Sequence, residues 1–464
     1  MQYIQQRLVS LFLFMKNVKP MSRLINYLKR VPEDRKFLVF REKSYTFGEL
    51  VKLCDDFSLE YPYLSGKNCA LISADRESLA LFLPVIDSVC QSLLLQPFEV
   101  DVAHLEFYQA ADIDYVIRLS RFEIESVIST KIESNASIIR GKNYLIPTSG
   151  TTGSPKLASY TLEALVSTAK KDVDRGQNFI WGLTYDVNRF AGLQVYIQSI
   201  ASGSVLVVPP FSLSTAELVS FFSEESVNSL SATPSFWRKI LMDPSHTKLC
   251  FNRITLGGEI ANQSILNALS QSFPSSEIVH IYASTEAGVG FTVKDRREGF
   301  PESYLGSNSH IKCKLKIENG ILWIKSLNGC TKLLKGNLEL DSGGFVNTGD
   351  MVKLCDGRVY FLGRYSGAIN VGGNKVMPEK VESILEKHSL ILMAKVFPKK
   401  SPVLGALVAC EIVLVENLEN IPLKVLKKEI VAYCRSKLEA FEVPALLKVV
   451  DAIQTNSTGK KVRS

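Results

Sequence analysis

The stretch TSGTTGSPK, residues 148–156, follows the apolar run Tyr144-Leu145-Ile146 and so stands at the end of a predicted strand. Hydroxyls (Thr148, Ser149, Thr151, Thr152), two glycines (Gly150, Gly153) and Lys156 crowd into nine residues. Glycine lets successive backbone N–H groups turn toward one point, hydroxyls donate further hydrogen bonds, and lysine adds positive charge. The combination reads as a cradle for phosphates. GxxxxGK[ST] cannot be aligned to it, so it is not a Walker loop. Taken alone, a polar surface turn is an ordinary alternative.

Around this loop, β-type and helix-type runs alternate. Strands are expected at 69–73, 115–117, 144–146, 205–208, 227–232, 253–256 and 278–282, and helices at 77–90, 215–223, 234–242 and 263–272. Such alternation predicts parallel sheets covered by helices. After about residue 300 the texture changes. HIKCKLKIENGILWIKS (310–326) alternates apolar and polar residues on both sides of Asn319-Gly320. Asn-Gly favours positive φ at both turn positions, which predicts a β-hairpin within a smaller all-β unit. From Arg364 onward, strands at 368–371, 393–397, 406–412 and 448–450 mix with helices at 378–388 and 422–438. The fold class is therefore α/β and α+β. A large N-terminal domain of helix-covered sheets spans 21–363, with a β-rich subdomain at 300–362. A small α+β domain follows at 366–464.

The 464 residues are 46% hydrophobic and 22% charged, ordinary for a globular protein. A net charge of +7 on so long a chain argues for no nucleic-acid stripe. Nine cysteines, no two closer than fifteen residues, exclude a CxxC motif and fit free thiols in a reducing cytosol. Residues 1–20 hold an apolar run at 8–15, too short to span a bilayer and lacking a small-residue cleavage site. They read as a helical extension, or as an upstream start with Met21 as an alternative beginning.

TSGTTGSPK resembles the phosphate-binding loop of the adenylate-forming superfamily of AMP-binding enzymes, which includes acyl-CoA synthetases, nonribosomal adenylation domains and beetle luciferases. Four further segments match in the expected order: IYASTEAG (281–288), NTGDMVKL (347–354), GRYSGAINVGGNKVMPEKVE (363–382) and NSTGKKVR (456–463). The resemblance runs from about residue 36 to the C-terminus. It implies that Tyr282 packs on adenine, Thr285 meets the α-phosphate, and Glu286 helps hold Mg²⁺, a hard ion suited to carboxylate. Ala283 stands where the family usually has glycine, followed by Ser284. LGGE (256–259), with Gly257, Gly258 and Glu259, resembles the segment that approaches adenine; a plain strand-to-helix turn is an equal reading.

By the same resemblance, Asp350 bonds both ribose hydroxyls and Arg364 also contacts ribose. Ser366 occupies the hinge about which the C-terminal domain swings. Gly372 and Gly373 face the pantetheine tunnel in the second conformation, or simply make a tight turn between strand and helix. Lys460 is the lysine that reaches the carboxylate and the α-phosphate. WGLTYDVNRFAGLQ (181–194) lies at a substrate-facing stretch, placing Arg189 ahead of Gly192. Arg189 either meets a substrate group or lies on the surface or beside Asp186, the latter being favoured. Trp181, Tyr185 and Phe190 either line a pocket or pack in the core, and His280 is expected to pack.

The activity implied is ATP-dependent conversion of a small-molecule carboxylic acid to an acyl-adenylate with loss of pyrophosphate, followed by transfer to a thiol. Coenzyme A is the first choice of acceptor; a carrier-protein arm or an amine is the alternative. A catalytically silent nucleotide-binding module and a kinase are the rivals. No nucleic-acid partner or stable membrane insertion is expected, and the location is cytoplasmic.

Overall fold

The computed structural model describes residues 23–98, 104–130, 141–148, 156–306, 311–402, 404–415, 422–455 and 460–461. The N-terminal extension and Ser149, Gly150, Thr151, Thr152 and Gly153 of the phosphate loop lie outside the described residues.

Two large sheets organise the N-terminal portion. The first orders its strands as Gly288–Val293, Glu277–Ser284, Arg253–Gly257, Ser229–Ala232, Ile180–Leu183, Val205–Val207, Lys36–Val39 and Ser44–Thr46. Its inner strands are parallel and its two edges antiparallel. The second orders Lys332–Lys335, Lys156–Tyr160, Asn143–Thr148, Ser92–Gln96, Asn68–Ser73, Tyr115–Ser120 and Glu123–Ser129. Here the strands from Asn143 to Tyr115 in that order are parallel. The phosphate loop joins two antiparallel neighbours, with Thr148 opposite Lys156.

The helices Arg76–Asp87 and Phe190–Ser202 are apolar on nearly every side, and both are buried almost throughout. A helix apolar all round must be covered on all faces. These two share one core with Leu38, Leu183 and Leu206 of the first sheet and Leu71, Leu93 and Ile146 of the second. The Tyr196 hydroxyl joins them by donating to the Ala80 carbonyl at 2.6 Å.

The predicted hairpin is present as Cys313–Glu318 and Ile321–Ser326, with φ of +52° at Asn319 and +72° at Gly320. It belongs to a five-stranded antiparallel sheet with Phe300–Pro301, Val346–Cys355 and Arg358–Arg364. One strand departs from the expected self-contained unit. Lys332–Lys335 leaves it to pair with Lys156–Tyr160 of the second large sheet. An open sheet edge presents unpaired N–H and C=O groups, and this strand covers them.

The C-terminal unit packs the helices Pro378–Leu385 and Leu423–Arg435 on a sheet of Ile369–Val371, Asn374–Val376, Ile391–Ser401, Gly405–Leu414 and Leu446–Val449. Gly372-Gly373 links two strands, not a strand and a helix as expected, with φ of +57° and +92°. Among the described residues no helix is long and apolar enough to cross a membrane.

Asp87, at the end of the Arg76–Asp87 helix, is fully buried and 3.0 Å from the Lys142 ammonium. It also accepts from the Leu24 amide at 2.8 Å and from the Tyr144 hydroxyl. Removing one partner of a buried ion pair leaves the other uncompensated. Asp87→Ala should lower the unfolding free energy by about 3–5 kcal/mol, read from chemical denaturation.

Candidate active site

The parallel strands of the first large sheet end together, and ligands in such sheets bind beyond the carboxyl ends of the strands. There a cavity of about 1130 Å³ opens between the two portions of the chain. Its wall includes Thr148, Lys156, Gly257, Gly258, Ala283, Ser284, Thr285, Glu286, Arg364, Ser366 and Lys460. Segments more than 300 residues apart in sequence thus meet at one place.

At the phosphate end, the Thr148 hydroxyl is buried with no hydrogen-bond partner among the described residues. The Lys156 ammonium lies 3.4 Å from the Glu286 carboxylate. The stem of Lys156 runs over Gly336, where a Cβ would come within 2.7 Å of Lys156 Cγ. The turn carrying Thr285 and Glu286 is fixed twice. The Ser284 hydroxyl accepts from the Ala287 amide at 3.0 Å, and the Tyr160 hydroxyl donates to the Thr285 carbonyl at 2.5 Å. Magnesium is commonly held by one or two carboxylates plus phosphate oxygens. Glu286, facing the cavity beside the phosphate-loop lysine, fits that donor set.

Asp350 and Arg364 sit opposite each other on neighbouring strands, with Arg364 Nε donating to Asp350 Oδ1 at 3.1 Å. Asp350 Oδ2 accepts from the Tyr282 hydroxyl at 2.6 Å. Each carboxylate oxygen keeps a second lone pair for a further donor; Arg364 lines the cavity, whereas Asp350 stands behind it and is not among the lining residues. Tyr282 departs from its expected place. It is not among the cavity's lining residues, whereas Ile281 and Ala283 are. Strand alternation turns it to the other face, where its ring lies parallel to Phe291 and Phe361 at 5.2 and 5.3 Å. In this arrangement the ring packs on protein, and its hydroxyl orients Asp350.

Gly257 and Gly258 line the cavity. Gly258 has φ of +80°, and a Cβ there would come within 3.2 Å of Lys460 Cε. Lys460 therefore lies directly over the glycine. Enclosure by protein, and then the neighbouring Arg364, push its pKa below the usual lysine value, and Arg189 acts in the same direction. Glu259 is otherwise engaged than expected. Its carboxylate accepts from the Ser235 amide at 2.9 Å, at the start of the helix Pro234–Met242, and from the Lys461 amide at 3.2 Å. It ties the tail to the start of that helix.

Arg189 precedes the helix Phe190–Ser202 and stands in the cavity wall, not on the outer surface. The Asp186 carboxylate receives Arg76 at 3.0 Å. Gly192 is not in the wall of this cavity; a Cβ there would meet the Asp186 carbonyl at 2.0 Å, so packing of the helix on the preceding turn demands glycine. Trp181, Tyr185 and Phe190 are at once buried and part of the wall. His280 is half-buried rather than in the core, with Nε2 bonded to the Arg297 carbonyl at 3.0 Å. Gly372 and Gly373 are exposed and away from the cavity in this arrangement.

Sequence reasoning missed the anchor of the tail. The Lys461 ammonium is held by Glu386 at 2.9 Å, Glu382 at 3.1 Å and the Ala394 carbonyl at 2.7 Å. The other oxygen of Glu386 accepts from Arg238 at 2.9 Å and from the Asn262 amide at 2.8 Å, both in the N-terminal portion. Burial alone would push the Glu386 carboxyl up, but Arg238 and Lys461 outweigh it and hold it down at about 2. A double lysine was the only signal in the sequence, and it reads as a basic tail.

The comparisons agree with this geometry. The model of the AMP-binding enzyme family matches residues 113–318, and that of the AMP-binding enzyme C-terminal domain matches residues 380–460. A 2-succinylbenzoate–CoA ligase of Bacillus velezensis is 24% identical, over 95% of this chain and 96% of its own. The o-succinylbenzoate CoA synthetase of Bacillus subtilis, solved with its acyl-adenylate intermediate, superposes with a TM-score of 0.70 at 20% identity, over 96% of this chain and 97% of its own. An anthranilate CoA ligase, AuaEII, solved with anthranoyl-AMP, gives 0.74 at 17% identity over 95% of each chain. With both family domains in order on this fold, the chain belongs to the adenylate-forming, AMP-binding enzymes.

Proposed function

We propose that this enzyme activates a carboxylic acid with ATP and then hands the acyl group to coenzyme A. The observation that carries the reading is the position of Lys460, over Gly258 in the same cavity as Arg364, Thr285 and Glu286. A carboxylate oxygen of the acid attacks the α-phosphorus, the bond to the bridging oxygen breaks, and pyrophosphate leaves. Lys460 and the Thr285 hydroxyl stabilise the charge that spreads over the phosphorus. Thr148 and Lys156 hold the departing phosphates, while Asp350 and Arg364 fix the ribose. Glu286 would hold magnesium, which neutralises phosphate charge when bound. In the second step the thiol sulfur bonds to the acyl carbon and AMP leaves. Splitting the reaction helps because the adenylate is far more electrophilic than the carboxylate.

The acid's body fits the arm of the cavity between the helix Phe190–Ser202 and the first large sheet. That helix is roughly 20 Å long at about 1.5 Å per residue. Trp181, Tyr185, Phe190, Val195, Ile281 and Val289 give this arm a mainly apolar near half. At its far end Arg253 and Lys294 both pair with Glu277, at 2.5 and 2.7 Å. Two cations on one carboxylate leave that end net positive, and Lys170, Lys171 and Arg175 outnumber Asp172 in the same wall, so it favours a substrate with a second anionic group. An extended acid with an aromatic or alkyl body is the class proposed, and the cytoplasm, where coenzyme A and free thiols coexist, is its place.

Acid-dependent exchange of labelled pyrophosphate into ATP tests the reading. Exchange with an aromatic or alkyl acid, and AMP as the product once coenzyme A is added, is expected. ATP binding without exchange over a broad panel would mark a silent module, and ADP would mark a kinase. Replacing coenzyme A by a carrier-protein arm or an amine in the same assay identifies the acceptor.

Lys460→Ala should cut exchange by at least roughly 10²-fold, as loss of one transition-state donor does. Transfer from a supplied adenylate should be much less affected; equal loss in both would contradict the assignment. The ammonium form is the active one and its pKa is lowered, so exchange should fall as pH rises, with a midpoint below the ordinary lysine value of 10.5. Lys460→Arg should move that alkaline limb upward. Ser366 is exposed in the short link Tyr365–Gly367 between the two portions. As a hinge it must change φ and ψ; Ser366→Pro should impair thioester formation more than exchange, and a fully active variant would remove Ser366 from that role.

A further inference from the structure

Lys460 and Lys461 are adjacent, yet their side chains go to different places. Lys461 pairs with Thr455 in an isolated antiparallel bridge. In extended chain, successive side chains point to opposite sides. Whatever fixes Lys461 therefore aims Lys460 in the other direction, into the cavity.

Lys461 is fixed at both its backbone and its side chain. Its amide is held by Glu259 of the N-terminal portion, at 3.2 Å. Its ammonium is held by Glu382 and Glu386 of the C-terminal unit, on side chains only 5% and 3% exposed. Glu386 then faces both ways, with one oxygen on Lys461 and the other on Arg238, itself 9% exposed in the helix Pro234–Met242. Arg238 also donates to the Leu392 carbonyl of the C-terminal unit at 3.2 Å. Two carboxylates and two cations balance, which is how buried charges are tolerated. Of these four charges Arg238 is the one supplied by the N-terminal portion, where Asn262 also donates to Glu386. A swing of the C-terminal unit must separate Arg238 from Glu386.

We propose that Lys461 is the positioning residue that aims Lys460, and that the Arg238–Glu386 contact is the latch that keeps the C-terminal unit in the adenylate-forming arrangement. The inference rests on the reading of Lys460 given above. The tail then adopts its working direction only when the two portions are closed, which ties the first half-reaction to the closed state. The second half-reaction, in which Lys460 takes no part, needs the latch open.

The test compares both half-reactions in the full chain, with the acid that gives the fastest exchange and its supplied adenylate. Lys461→Met should lower pyrophosphate exchange by about 10²-fold, as a misplacement of about 1 Å does. Transfer from the supplied adenylate to coenzyme A should stay at the wild-type rate or rise. Lys461→Arg should restore part of the exchange. Arg238→Met lies across the interface from the tail and should show the same split, so it carries the test if Lys461→Met does not fold. Exchange within about twofold of wild type in the folded variants, or equal loss of both half-reactions at an unchanged melting temperature, would overturn the proposal. Lys460→Ala measured alongside separates the two failures. If it too leaves exchange intact, the reading of Lys460 fails; if it alone abolishes exchange, only the latch does.

Discussion

The lysine ammonium that lies over Gly258 comes from the far end of the chain, and the proposed first half-reaction depends on its delivery there. A phosphorus under attack by a carboxylate gathers negative charge between two groups that are already anionic. A mobile cation brought to that point relieves the repulsion where water would do so poorly. Gly258 leaves the space, since a Cβ at that position would crowd Lys460 Cε at 3.2 Å. The tail supplies the charge, and Arg189 and Arg364 help keep the pKa of Lys460 low. A lysine so placed loses its proton more easily than one in water.

Around that contact the fold divides its labour. The parallel sheets and the two buried helices between them share one hydrophobic core, and strand ends at Gly257 and Ser284 present short, polar turns to the cavity. The antiparallel sheet adds Asp350 and Arg364 as a matched pair across two strands. Among the described residues the C-terminal unit adds only Lys460 to the wall beyond its link, and it is held to the rest through a buried charge cluster. A cluster of this kind is a poor source of stability, because desolvation offsets most of the attraction. Its fit with a two-position device is better, since opening exchanges protein partners for water.

The family and the fold class were legible in the sequence, because the chemistry of phosphates leaves dense local marks. The loop at 148–156, the Thr285-Glu286 pair, Asp350, Arg364 and Lys460 each combine residue types that a nucleotide needs. The alternation of strands and helices was equally plain, down to the helix Pro234–Met242 and the turn at Asn319-Gly320. What could not be read was set by partners distant in sequence. The bonds of the Glu259 carboxylate to the amides of Ser235 and Lys461 could not be read, since Lys461 lies some two hundred residues away. Tyr282 looked like a platform for adenine, yet its neighbours Phe291 and Phe361 lie parallel to its ring. Gly192 looked like a substrate contact and is a packing requirement. The strand Lys332–Lys335 carries no local sign that it pairs with another sheet. Lys461 showed only as half of a double lysine, because its partners stand about seventy-five residues upstream.

The most direct test of the central claim is a crystal structure with an inert sulfamoyl analogue of an acyl-adenylate. The account predicts the linkage between Gly258 and Lys460, the ribose on Asp350 and Arg364, and the acyl body along the helix Phe190–Ser202. An analogue bound elsewhere, or bound in this cavity with Lys460 turned away from the linkage while the two portions remain closed, would contradict it.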